Sequence, residues 1–99
     1  MAFEMLVGLN VVDDASYITY RQKMTPILEE FGGGFRYDFK ISEVLKSEAD
    51  SPINRVFIIY FPNELAKNAF FSDAQYLKVR QNYFDKSVTS TIILASYDR

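Results

Sequence analysis

The order of hydrophobic patterns along this 99-residue chain predicts an α+β sandwich. Two observations carry the prediction. Strand, helix, strand, strand, helix and strand periodicities follow one another, and the first, third and fourth strands are apolar on both faces. Right-handed crossovers then place both helices on one face of a single antiparallel sheet, with strand order 4-1-3-2. The other face cannot stay wet, because it would expose a patch well beyond the few hundred Å² of an ordinary monomer. A second copy, packed through the same face with twofold symmetry, is the expected cover.

Residues 3–12, FEMLVGLNVV, alternate as a first strand. Phe3, Met5, Val7, Leu9 and Val11 form a wholly apolar face, and Glu4, Leu6, Gly8, Asn10 and Val12 a mixed one. Asp13 or Asp14 is placed to cap a helix. Within it Tyr17, Tyr20, Met24, Ile27, Leu28 and Phe31 recur at helical spacing as one stripe. Pro26 lacks the amide that would bond the Gln22 carbonyl, so a kink or break is expected near Met24. Gly32 is expected to stop the helix.

Residues 35–45, FRYDFKISEVL, alternate as an edge strand. Phe35, Tyr37, Phe39 and Ile41 face one way, and Arg36, Asp38, Lys40 and Ser42 the other. KSEADSPIN, residues 46–54, reads as a loop, and RVFIIYF, residues 55–61, as a central strand ended by Pro62. Asn63 is placed to cap a short helix with Leu65, Ala66, Ala69 and Phe70 inward. Ser72 and Gln75 fit a capping box for a second helical piece from Asp73 to about Lys86. Its stripe is Tyr76, Val79 or Arg80, and Tyr83. TSTIILASY, residues 89–97, forms the last strand. No linker or internal repeat interrupts residues 1–99, so one domain is expected.

Composition narrows the chemistry. Cysteine and histidine are absent, which removes disulfides, thiol nucleophiles, thiolate zinc sites and histidine bases. No metal site and no cofactor are expected. A formal charge of −2 with scattered Lys and Arg offers no stripe for a phosphate backbone, so nucleic acid is not an expected partner. MAFEMLVGLN lacks a basic n-region, carries Glu4 and is too short to span a bilayer. A soluble, cytoplasmic protein without a membrane partner is therefore expected. Seven tyrosines and nine phenylalanines are many for this length and suit a core, a pocket or an interface.

Several segments carry a closer resemblance. FGGGF after the first helix, EVL at Glu43 to Leu45, RVFIIYFPN, and FFSDAQY followed by an arginine and an aromatic are similar to the family called domain of unknown function 1330. The resemblance covers nearly the whole chain. It implies the ferredoxin-like βαββαβ fold of the dimeric α+β barrel superfamily. Relatives there hold small, often aromatic or polyketide-like molecules between helices and sheet, and include cofactor-free monooxygenases, haem-degrading enzymes, lactone isomerases and haem peroxidases. Without histidine or tryptophan this chain loses the haem-dependent assignments.

The expectation is a homodimer, joined through the sheet face, that binds a small hydrophobic or aromatic molecule. The alternatives are a cofactor-free oxygenase or isomerase and a non-catalytic structural dimer. Candidate ligand-binding residues are Tyr17, Tyr20, Tyr37, Phe71, Tyr76, Tyr83, Asn10, Arg36 and Tyr60. Each has a plainer role. The tyrosines and Phe71 also suit core packing, Asn10 a backbone bond or the dimer seam, and Arg36 an ion pair with a neighbour such as Asp38. Arg80 suits a surface position before anion binding, and Glu43 suits a solvated strand end before a buried base. The glycines at 32–34 follow a helix, so they lack the helix N-terminal amides of a phosphate loop.

Overall fold

Strict alternation of apolar residues makes Phe3–Val11 the central strand β1, and five of its odd-numbered side chains are buried. The computed structural model describes residues 2–99. Helix α1, Asp14–Glu30, follows, then β2, Gly34–Lys40, and β3, Arg55–Phe61. Helices α2, Glu64–Ser72, and α3, Ala74–Val79, lead into a π-helical turn, Arg80–Phe84, and β4, Val88–Asp98, ends the fold. The four strands lie in the order β2-β3-β1-β4, all neighbours antiparallel. This is the predicted ferredoxin-like topology.

The Asp13 carboxylate caps α1 by accepting from the Ser16 amide at 3.1 Å and the Ser16 hydroxyl at 2.8 Å. Tyr17, Tyr20, Met24, Ile27 and Leu28 form its buried stripe, as the spacing predicts. The expected break at Pro26 does not occur, and α1 runs unbroken through it. Burial of Met24, Ile27 and Leu28 on either side holds the helix there, and the Thr25 hydroxyl bonds the Arg21 carbonyl. Gly32, at φ 77°, stops the helix. The Gly32 amide bonds the Glu29 carbonyl at 2.9 Å and the Gly33 amide bonds the Leu28 carbonyl at 3.0 Å, which is the Schellman pattern.

Leu65 and Ala69, expected to face inward on α2, are exposed, and three further expectations are corrected. First, β2 ends at Lys40, so residues 41–45 belong to the loop and Glu43 is exposed there. Its neighbour β3 begins only at Arg55, so the chain beyond Lys40 has no partner to pair with, apart from the bond of the Ile41 amide to the Asn54 carbonyl. Second, a register shift between Phe35 and Tyr37 breaks the alternation of β2. Phe35 and Asp38 lie on the helix side, while Arg36, Tyr37 and Phe39 lie on the other. Third, Asp73, not Ser72, caps α3, accepting from the Tyr76 amide at 2.9 Å. Ser72 is the last residue of α2, where its hydroxyl donates back to the Asn68 carbonyl at 2.8 Å.

The helices cover one sheet face. Leu9, Phe61, Phe70, Leu28 and Met24 are buried between the layers. The opposite face carries Leu6, Val56, Ile58 and Ile92, all partly exposed, with Tyr37, Phe39 and Leu94 more so. Asn54 closes the end of the β1–β3 pair. Its side chain bonds both the amide and the carbonyl of Val11 at 2.8 Å, as a neighbouring strand would.

Candidate functional site

A cleft of about 450 Å³ opens between the helices and the sheet. Met5, Val7 and Leu9 of β1 and Phe57 and Ile59 of β3 form its floor. Tyr17, Tyr20 and Met24 of α1 face Phe71, Tyr76 and Phe84 from the later helical segment. The hydroxyls of Tyr20 and Tyr76 hydrogen-bond each other at 2.8 Å, and both residues are buried. Burial pushes the Tyr20 phenol well above its ordinary pKa and raises that of Tyr76 as well. Burial also raises Tyr17, against the opposing pull of Arg21.

An ion pair set on aromatic rings flanks this cleft. The β2 register shift turns Asp38 toward α1, where Arg21 reaches it at 3.2 and 3.3 Å and Arg55 at 2.8 and 2.8 Å. The Arg55 bond, partly offset by burial, holds the Asp38 carboxyl below its usual range. The Arg21 guanidinium lies 4.0 Å from the Phe35 ring centre and 4.9 Å from that of Phe57, and its Nε donates to the Tyr17 hydroxyl at 2.8 Å. Asp38 is therefore committed to two arginines.

Of the residues proposed from sequence, Tyr17, Tyr20, Tyr76 and Phe71 meet at the cleft. Tyr83 does not. It packs partly buried against the core, with the Lys23 and Lys86 amines 5.7 and 5.8 Å from its ring centre. The π turn, in which the Asp85 amide bonds the Arg80 carbonyl at 3.1 Å, inserts one residue into the helical register. Phe84 consequently takes the wall position that ordinary helical spacing from Tyr76 assigned to Tyr83. Arg80 also lines the cleft, together with Lys67 of α2.

Asn10, Arg36, Tyr37 and Tyr60 lie on the opposite face and do not reach the cleft. Asn10 falls on the even face of β1, where its Nδ2 donates to the Thr89 hydroxyl at 2.8 Å. Tyr60 lies under the Arg36 guanidinium, 4.1 Å from its ring centre. Arg36 does not pair with Asp38, which the register shift carries to the other face; its Nε reaches Glu4 at 2.6 Å. Sequence reading missed Glu4, whose residue is 2% exposed. The Tyr97 hydroxyl at 3.0 Å and Arg99 at 3.4 Å complete its shell. Burial raises the Glu4 pKa, but the bonds from Arg36, Tyr97 and Arg99 together outweigh it and hold the carboxyl below its ordinary value. A lone acidic residue on the mixed face of an otherwise apolar strand was the available signal.

No group of metal-ligating side chains occurs among the described residues. No helix among them is long and apolar enough to cross a membrane.

A ferredoxin-like sheet with a helix-covered cleft defines the class, and comparison with known proteins gives the family. Residues 5–97 match the domain of unknown function DUF1330, and the chain belongs to that family. The fold resembles that of a protein of unknown function from Rhodopseudomonas palustris, with a TM-score of 0.81 at 17% identity over 99% of this chain and 82% of that one. It also resembles a dimeric ferredoxin-like protein of unknown function from Jannaschia sp. CCS1, with a TM-score of 0.60 at 10% identity over 100% of both chains. A putative antibiotic biosynthesis monooxygenase from Nitrosomonas europaea gives 0.57 at 16% identity over 99% of this chain and 89% of that one. No curated protein matches the chain.

Proposed function

We propose that this protein is a homodimer, joined through its open sheet face, that binds a small apolar or aromatic molecule in the cleft between helices and sheet. The cleft carries the reading. Its volume of about 450 Å³ and its aromatic and aliphatic walls with few polar groups suit a small ligand. The partly exposed row of Leu6, Val56, Ile58 and Ile92 supports the dimer, as does the description of the Jannaschia protein as dimeric. Stable homodimers bury about 2,000 Å² or more in total.

Mass spectrometry of native protein tests the ligand. A small molecule that co-purifies with the chain and is lost when Phe71→Ala and Phe84→Ala are introduced together supports the cleft. Retention by that double variant would count against it. Light scattering at micromolar concentration should give twice the chain mass, and Ile58→Asp should give the monomer mass. A monomeric unaltered chain of intact stability would remove the dimer.

Likeness to the putative Nitrosomonas monooxygenase supports a second reading, cofactor-free chemistry in the same cleft. The raised pKa values of Tyr17, Tyr20 and Tyr76 keep these phenols protonated near neutral pH, and Asp38 is held by two arginines. None of these groups is prepared to act as a base. Binding is accordingly the reading we prefer.

A further inference from the structure

We infer, resting on the cleft-binding reading, that the ligand is an aromatic carboxylate whose acidic group is received by the Tyr20–Tyr76 hydroxyl pair together with Arg80 and Lys67. The donor count comes first. Two phenols bonded to each other use one of their two protons in that bond. The second proton needs an acceptor. Among the described residues, no carboxylate or carbonyl accepts a hydrogen bond from either oxygen. At 5% and 2% residue exposure, bulk water is a poor substitute. A ligand oxygen in the cleft supplies what the protein does not.

Charge then selects among acceptors. The charged side chains on the cleft wall are Arg21, Lys67 and Arg80, and no acidic residue is among them. Arg21 is partly compensated by Asp38, which it shares with Arg55. Lys67 has no carboxylate within ion-pair distance among the described residues, and its amine lies 5.3 Å from the Phe3 ring centre. The one carboxylate paired with Arg80 among the described residues is Asp85, at 3.9 Å, with both side chains substantially exposed, so that pair is weak. The wall thus offers two poorly compensated cations in the same cleft as a free phenol proton. A neutral carbonyl would use the proton and leave the cations idle. A carboxylate uses both, and charge-assisted bonds are roughly twice as strong as neutral ones. Phe71 and Phe84, on the same wall, suit a flat ring.

Three probes of matched shape test the inference: 2-naphthoate, 2-methylnaphthalene and 2-naphthylmethylammonium, titrated by NMR with chemical shifts read at cleft residues. Naphthoate should bind roughly tenfold more tightly than methylnaphthalene, and the ammonium most weakly. Tyr76→Phe should lower naphthoate affinity roughly tenfold and leave methylnaphthalene unchanged. The double variant Lys67→Gln, Arg80→Gln changes partly exposed side chains, so it tests the same point should Tyr76→Phe fail to fold. It should erase the preference for the anion and flatten its salt dependence. Equal binding of the three probes, or preference for the ammonium, would overturn the carboxylate inference while leaving the cleft as a binding site. Failure of every probe to shift any cleft resonance would overturn the cleft reading itself.

Discussion

On one side of the sheet Leu9, Phe61 and Ile59 are buried by helices of the same chain, while on the other Leu6, Val56, Ile58 and Ile92 stay partly exposed. The polar groups differ as well. The helix side holds neutral phenols and places its ion pair at the β2 edge, where Asp38 keeps some solvent contact. The open side sinks a carboxylate, Glu4, at one end of its apolar row and surrounds it with Arg36, Tyr97 and Arg99. A covered core can be apolar and need not specify a partner. In the proposed dimer, a face that meets one copy in one register would gain from a polar fixture, a role buried ionic groups serve in some proteins even where they add little stability.

The largest expected effect lies on the covered side. Phe70 is 0% exposed and contacts the rings of Phe61 and Tyr76, with centres 5.7 and 4.2 Å away. Phe70→Ala should cost about 3–5 kcal/mol, independent of protein concentration, in urea unfolding. Ile58→Ala on the open side should cost less at low concentration and more as concentration rises, because in the proposed dimer part of its burial comes from the second copy. Identical, concentration-independent losses would erase the distinction between the two faces.

Much of this division was legible in the sequence, and the exceptions have definite causes. The strand order, the Asp13 cap, the stripe on α1 and the two-sided strands all follow from period and capping. The two insertions did not show. Neither the irregularity in β2 near Arg36 nor the π turn at Arg80–Phe84 contains Gly or Pro, and each shifts one residue in the register. Those shifts moved Tyr37 and Arg36 to the same face, turned Asp38 inward and exchanged Tyr83 for Phe84 in the cleft. Glu4 was hidden for another reason. Its partner Arg36 lies 32 residues away, beyond any local spacing rule, so the arginine's neighbour Asp38 looked like the better match. Four of the nine proposed site residues reach the cleft because α1, α2 and α3 keep their helical phase up to Val79.

The Glu4 fixture gives the next effect. Glu4→Gln removes the charge that pairs with Arg36 and Arg99 but keeps the shape, and a loss of about 1–3 kcal/mol at neutral pH is expected. The folded-state pKa of Glu4 is lowered, so its stabilisation is present above the unfolded value and disappears as pH falls through the folded value. Acid unfolding below about pH 4 should therefore take up fewer protons in the variant, by up to one. Asp13 and Asp38, also lowered, would retain the remaining acid sensitivity. An unchanged acid transition in Glu4→Gln would mean that the open face does not rely on this ion cluster.

The smallest effect separates the faces at the other end of the pH scale. Burial raises Tyr20 well above the ordinary phenol value, so the folded state holds its proton longer than the unfolded chain does. Its stabilisation is fully present below the unfolded pKa of about 10 and is lost as pH rises through the folded value. Tyr20→Phe should cost about 0.5–1.5 kcal/mol at pH 7, through the lost bond to the Tyr76 hydroxyl. Above about pH 10 the difference from the unaltered chain should narrow, because the variant has one phenol fewer to ionise on unfolding. Glu4→Gln should narrow less, since its own carboxyl is already ionised there and only the exposed Tyr97 phenol, raised by burial and by its bond to Glu4, titrates in that range. Denaturant midpoints at pH 7 and at about pH 10.5 distinguish the two variants. Parallel behaviour would imply that the Tyr20–Tyr76 pair is hydrated in the folded protein. The free phenol proton of that pair would then have water as its acceptor, and the argument for a ligand oxygen there would lose its first step.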